Sequence, residues 1–396
     1  MTTLAPTPSP VRAPRGATLL DRYHDPVLRR WAVEVVSFVV VAFLAVYFVA
    51  RARELHLSFD FMNDAAGFGV GDQFLTHVTG RDPGWMVYLA GIANTIRVAI
   101  FGIAIATTLG VVTGVARLSS NWLVSKIALG YVELVRNMPL LVFVVFWYTA
   151  VVLRLPPIAS TARVFDLAFL SNRALAFPRI TGTDLAPAWW LAVLVSVVIA
   201  AVTWRVLRRR EAQRGGDLHV PYVAGAIVLV TAVVAFVALG APLGVEVPVV
   251  TRYSYRGGLQ LSPEFAGVLL GVAVYRGAFV AEVVRGALQA VPRGEREAAA
   301  ALGLTGWQQL TRVVLPQALR MVVPSMVGQS QVLVKATSVA VAIAYPDMLS
   351  IGRTLITNSG EAEGMFIVIL ASYLTINLLL AGVLTVIRRR WLAVRP

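Results

Sequence analysis

Eight runs of apolar residues divide this chain, at approximately 31–50, 88–116, 127–153, 187–204, 221–241, 264–290, 317–345 and 364–387. Each is close to or above the roughly 20 residues needed to cross about 30 Å of hydrocarbon. They are continuous runs, not ten-residue segments of alternating polarity, so they predict helices and argue against a barrel. The longest overrun a bilayer or tilt within it. The expected fold class is therefore an all-α integral membrane protein with about eight transmembrane helices. One polar stretch interrupts the pattern between the sixth and seventh runs. Over 293–316 the sequence is charged and rich in alanine, and it predicts two short helices. The first, about two turns long, ends at Gly303, placed where a helix closes with a left-handed residue that costs glycine little. The second begins at Thr305, whose side chain serves as N-cap, with Gln308 three residues on completing a capping box. Trp307, Leu310 and Val314 then recur on one face. Helices this short are marginal in water, so the element calls for a surface to pack on, and a partner protein is the natural supplier.

Composition agrees with the pattern. The chain is 58% hydrophobic and 14% charged, with a mean hydropathy of +0.74, whereas soluble domains carry about a quarter charged residues. The net charge of +14 is mostly a topology signal. With the N-terminus in the cytoplasm, Arg12, Arg15, Arg117, Lys126, the arginines of 205–214, Arg293, Arg296, Arg312, Arg320 and Arg388 to Arg390 all lie inside, about twice as many basic residues as outside. Both termini and the 293–316 loop are then cytoplasmic, and the basic charge faces anionic lipid headgroups and not nucleic acid. The 1–30 tail is polar and carries Pro6, Pro8, Pro10 and Pro14. No small-residue cleavage site follows the first run, so 31–50 is expected to be an uncleaved accessory helix. An outer segment is expected over 51–87 and a short cytoplasmic tail over 388–396.

The chemistry that the chain lacks narrows its function. There are no cysteines, which excludes disulfides, thiolate metal sites and a cysteine nucleophile. His24, His56, His77 and His219 are too scattered for a metal site, and neither metal nor cofactor is expected. Lys126 and Lys335, the two lysines of the chain, precede Ile127 and Ala336, so no Gly-Lys-Ser/Thr phosphate loop exists and any ATP hydrolysis belongs to another chain.

Ionisable residues inside the apolar runs are the remaining candidates: Arg97, Glu133, Arg136, Arg276, Glu282, Arg285 and Lys335. Each costs about 2.5–3.5 kcal/mol at a helix centre unless it is paired, near an interface or lining water. Glu133 with Arg136, and Glu282 with Arg285, are three residues apart on one helical face, and structural pairing and a functional role stand equally open for both. Arg97, near a helix end, is expected to snorkel. Lys335 lies deep in its run among Gln329, Ser330, Gln331, Thr337 and Ser338, after Pro324 and Gly328. That setting points to a polar pathway or gate. The alternative is an interhelical hydrogen-bond network. Trp189, Trp190 and Trp204 read as interfacial anchors.

Asn94-Thr95-Ile-Arg97 and Tyr131-Val-Glu133-Leu-Val-Arg136-Asn137-Met-Pro139-Leu140 resemble the first part of the permease subunit of a type I ABC importer of the polar amino-acid family. Ala281-Glu282-Val-Val-Arg285-Gly286, Gln289 to Pro292, Glu297-Ala-Ala, Ala301-Leu302-Gly303-Leu304, Leu315-Pro316-Gln317-Ala318-Leu319-Arg320 and Lys335-Ala-Thr337-Ser338 complete the resemblance over residues 90–345. The insertion at 154–262 and the segment Ala344-Tyr345-Pro346-Asp347-Met348 resemble the branch for glutamate, glutamine, aspartate and asparagine, or for L-amino acids generally. The resemblance implies an ABC transmembrane domain over 88–387, with five core helices (88–116, 127–153, 264–290, 317–345 and 364–387) and three accessory ones. It implies a second homologous permease subunit, two ATP-binding subunits and a periplasmic amino-acid-binding protein as partners, in a bacterial inner membrane. The 293–316 segment would be the EAA loop, with Glu297, Ala298, Ala299 and Gly303 coupling to the ATPase, and Gln329, Gln331, Lys335, Thr337 and Ser338 would belong to the pathway or gate. Related chains often carry a polar residue where this one has Ala336. Two rivals differ in what they require. An ion-coupled secondary transporter needs coupling groups in its own bundle, and a membrane-bound enzyme needs a reactive cluster that the composition does not supply.

Overall fold

The computed structural model describes residues 31, 34–43, 46–47, 58–165, 167–214 and 219–393. In the N-terminal unit, Met1–Phe59, the described residues include an apolar helix, Glu34–Phe43. Residues 32–33, 44–45 and 48–50 of the 31–50 run lie outside the described residues. In the larger unit, Asp60–Pro396, six helices are long and apolar enough to cross a membrane, or seven when one bent pair counts as a span. These seven correspond to the other seven runs.

The first is α1, Gly84–Ala116. The bent pair is α2, Trp122–Arg136, and α3, Leu140–Phe146, which continues as a π-helical turn over Trp147–Val152. The run expected as one helix over 127–153 is broken in two, and the pieces meet at 111°. Pro139 has no N–H for a continuous ladder, and it pushes Met138 out of the α region. Asn137 closes α2 by donating its side-chain amide to the Glu133 carbonyl at 2.8 Å.

The insertion contains the two expected helices, α4 (Ala186–Arg214) and α5 (Val220–Ala238), joined where Trp189 Nε1 donates to the Ala232 carbonyl at 2.9 Å. It also contains eight short strands. Strands β1 (Ala162–Val164), β2 (Ala168–Leu170), β3 (Leu175–Phe177) and β8 (Leu259–Leu261) form one antiparallel sheet in that order. A second pair, β4 (Arg179–Gly182) with β5 (Leu243–Glu246), closes across the α4–α5 hairpin, and β6 (Val249–Val250) pairs with β7 (Tyr255–Arg256). No strand exceeds four residues, too few for alternation to register in the sequence.

The bundle is organised around α1 and α6, Pro263–Ala290. Gly110 and Gly114, four residues apart, let the two backbones approach: a Cβ on Gly114 would lie 2.7 Å from the Ala281 carbonyl oxygen and 2.8 Å from Val284 Cβ, and one on Gly110 would overlap Val280. Small residues at this spacing are how helices pack in lipid, where van der Waals contact replaces the hydrophobic drive. After α6 come α7 (Arg293–Ala301) and α8 (Gly306–Gln309), the latter running through a π-turn, Leu310–Val314, into α9 (Leu315–Ala336). A 3₁₀ stretch, Thr337–Ile343, leads to α10 (Met348–Ser359) and α11 (Ala362–Ala393). Val98, Phe265, Val272, Leu333 and Tyr345 form one buried core. A second core seats the loop before α1, through Phe61, Ala66 and Val70, on Tyr88, Met348, Ile351 and Met365.

Candidate functional site

Two ends of the bundle carry polar chemistry, and α9 runs between them. At the Glu297 end, α7 closes as its sequence dictates. The Gly303 N–H bonds the Ala300 carbonyl at 2.9 Å and the Leu304 N–H bonds the Ala299 carbonyl at 3.1 Å, with Gly303 at φ +76°. This is a Schellman closure. Two residues later Thr305 accepts from the Gln308 N–H at 3.4 Å while its own N–H donates to Gln308 Oε1 at 2.9 Å, a complete capping box. The corner between α7 and α8 is thus closed by its own residues. It is tied to the bundle by Arg296, whose Nη2 donates to the Leu288 carbonyl at 3.0 Å, and by Gln317, whose Nε2 donates to Glu295 at 3.0 Å. Ala299 is buried against the bundle, while Glu297, Ala298 and Gly303 are exposed. Two large apolar side chains stand uncovered beside them: Leu302 is 81% exposed and Trp307 73%.

The residues singled out on α9 separate by face. Met321, Pro324, Ser325, Gly328, Val332 and Lys335 recur at helical spacing and are all exposed. Lys335 has no ion pair among the described residues. Gln329 turns toward α6 and accepts from the Arg276 guanidinium. Gln331 points to α11, where its Nε2 donates to the Asn377 carbonyl at 3.4 Å. Thr337 and Ser338 each donate to a carbonyl three residues back, those of Val334 and Lys335, both at 2.8 Å.

At the opposite end, Asp72 of the loop before α1 is the hub. Its carboxylate accepts from Arg97 Nη1 at 2.9 Å and from the Ser262 hydroxyl, the N-cap of α6. Arg97 is only 5% exposed. Its guanidinium lies 3.8 Å from the centroid of the Phe265 ring and 5.3 Å from that of Phe74. Arg97 therefore does not snorkel. It is held inside by a carboxylate 25 residues upstream, and removing one partner of such a pair costs about 3–5 kcal/mol. Asn94 stitches the same region, donating to the Asp72 and Pro346 carbonyls at 2.8 and 2.9 Å. Asp347 caps α10 by accepting from the Ser350 N–H at 2.8 Å, but its Oδ2 is buried and has no partner among the described residues. It lies between the spans that end at Ile343 and begin at Ala362, and burial pushes its carboxyl up to about 7.

The pairs Glu133 with Arg136 and Glu282 with Arg285 also separate. Glu282 is the shared acid of the Glu297 end, accepting from Arg285 and Arg117, with Arg136 at 3.9 Å. Arg136 approaches Glu282 of α6 and not its own-helix neighbour Glu133. Asp72 was not among the residues that the sequence singled out, and Arg276 was singled out only as a charge inside an apolar run. Asp72 stands in a loop without periodicity, and nothing local to Arg276 announces that it has no carboxylate beside it.

Residues 218–393 match the family described as the binding-protein-dependent transport system inner membrane component. Over 375 residues the chain is 34% identical to a protein of Escherichia coli strain K12 named as an amino-acid ABC transporter permease, covering 93% of this chain and 95% of that one. It is 33% identical over 372 residues to the general L-amino acid transport system permease protein of Rhizobium johnstonii, covering 92% of both. It is 30% identical over 371 residues to the glutamate/glutamine/aspartate/asparagine transport system permease protein of Rhodobacter capsulatus, covering 85% of this chain and 86% of the relative. Matched over most of its length by relatives at 30–34% identity, the chain belongs to the inner-membrane permease subunits of amino-acid ABC importers.

Proposed function

We propose that this permease moves polar L-amino acids (glutamate, glutamine, aspartate, asparagine or a wider set) from periplasm to cytoplasm by alternating access, driven by ATP hydrolysis on a separate chain. The observation that carries the coupling half of this is the α7–α8 corner: rigidly closed, anchored through Arg296 and Gln317, and presenting Leu302 and Trp307 uncovered beside Glu297, Ala298 and Gly303. Exposed aromatic and aliphatic anchors beside a charge are what a docking partner covers. The basic distribution supports a cytoplasmic location for this corner and for both termini. The exposed α9 face, with Gly328, Val332 and Lys335, is where a second homologous permease would pack, and Gln329 and Lys335 line the pathway between the two. Gln331 ties α9 to α11 beside it, and Thr337 and Ser338 shape the end of α9. A periplasmic amino-acid-binding protein delivers the substrate, and paired ATPases closing on the corner swing the core helices as rigid bodies.

The test is reconstitution of the permease pair with its ATPase and binding protein in proteoliposomes, measuring ATP-dependent uptake of labelled L-glutamate and L-glutamine. Glu297→Lys is expected to abolish co-purification of the ATPase or to uncouple hydrolysis from uptake, with membrane insertion normal. Uptake by this chain alone, driven by an ion gradient, would overturn the proposal.

A further inference from the structure

The charged residues within the spans fall into two groups. Arg97 has Asp72, and Arg285 and Arg117 share Glu282. Arg276 has no such partner. It sits halfway along α6 and is 8% exposed. One of its nitrogens, Nη2, donates to Gln329 Oε1 on α9. Its Nε is buried with no acceptor. The Phe279 ring lies 4.8 Å from the guanidinium, and Arg136, itself 3.9 Å from Glu282, lies on the same ring at 5.6 Å. Among the described residues no carboxylate pairs with Arg276. A cation at this depth is tolerated when it faces an interior or a watery cavity and has something to bind. The planar guanidinium, with an N–H left over, matches a carboxylate in shape, charge and hydrogen bonding.

We propose that Arg276, oriented by Gln329, is a mid-membrane subsite for a carboxylate of the amino acid in transit. This rests on the permease function set out above. The Phe279 face holds the guanidinium in place by cation–π attraction. Gln329 occupies Nη2, fixing which edge remains for the passing anion. The subsite is a waypoint: a single guanidinium with one neutral neighbour binds a carboxylate without trapping it.

The experiment uses the complete complex (both permeases, the ATPase pair and the binding protein) in proteoliposomes, with labelled L-glutamate and L-glutamine as probes. Arg276→Met, close to isosteric, is expected to cut uptake at least ten-fold while the complex assembles and its melting midpoint is unchanged or higher, because the variant deletes a buried charge that has no partner. Arg276→Lys keeps the charge and loses the fork, and is expected to fall between Met and wild type. Uptake by Arg276→Met within two-fold of wild type would overturn the subsite. So would a fall in assembly or melting midpoint that tracks the loss of uptake, since that identifies the counter-ion as an acid of the partner permease. If the wild-type complex itself carries no amino acid, the permease function fails and not the subsite alone.

Discussion

At the scale of single residues, the informative positions are buried charges and how each is answered. Asp347 is answered on one oxygen only. Its Oδ1 caps α10, while Oδ2 is buried with no hydrogen-bond partner among the described residues. Burial holds its folded-state value at about 7, above the roughly 3.9 of an unfolded carboxylate. The folded protein therefore keeps a proton that the unfolded chain releases. The stability this contributes is complete below about pH 4 and is lost as pH rises through about 7, a total on the order of a few kcal/mol. Asp347→Asn retains an oxygen for the cap and removes the titration. The wild-type melting midpoint in detergent is expected to fall more steeply from pH 5 to pH 8 than that of the variant, and parallel profiles would show that this carboxyl does not titrate in the window. The pairing of Arg97 shows what was hidden at this scale. The sequence marked the arginine as costly in the membrane, but its carboxylate sits in a loop whose path no periodicity encodes, and the arginine was assigned to the interface by default.

At the scale of elements, local rules were legible and long-range ones were not. The α7–α8 corner was readable to the residue because every group that closes it lies within a ten-residue window: Gly303 for the positive φ, Thr305 and Gln308 for the reciprocal caps. The break between α2 and α3 was equally local, at Pro139, yet it was masked by an apolar run that continues straight across it. The strands β4 and β5 pair only after an intervening two-helix hairpin, and their four residues each leave no pattern to follow. Contact between α1 and α6 yields a sharp test. Gly114→Val places its branches against the Ala281 carbonyl and Val284, and overpacking of this kind is expected to cost roughly 1–3 kcal/mol, read as a lowered melting midpoint. Gly286→Ala, on the same α6 but facing open space, is expected to be neutral or mildly stabilising. Equal loss in both variants would remove the close approach as the reason for the glycine.

At the scale of the whole molecule, the permease is a set of spans with an uncovered handle. Leu302 and Trp307 are largely uncovered among the described residues, and a partner that buries them gains on the order of 2 kcal/mol or more from such an anchor. Trp307→Ser is accordingly expected to weaken retention of the ATPase at least ten-fold in pull-down titrations without changing the melting midpoint of the isolated permease, and unchanged retention would move the docking surface elsewhere.

The closure of the α7–α8 corner has a mechanical consequence. Nine helical residues make a rod of about 14 Å, its C-terminal end capped by the Schellman turn and its fourth residue, Arg296, bonded to the Leu288 carbonyl. A rod held this way does not absorb a push by fraying. Tilting it by about 10° carries its far end through about 2 Å, and that end leads through the capped turn at Gly303 and Thr305 into α8, the π-turn and α9. In the coupling role proposed above, the corner acts as a lever whose two helices are capped by their own residues.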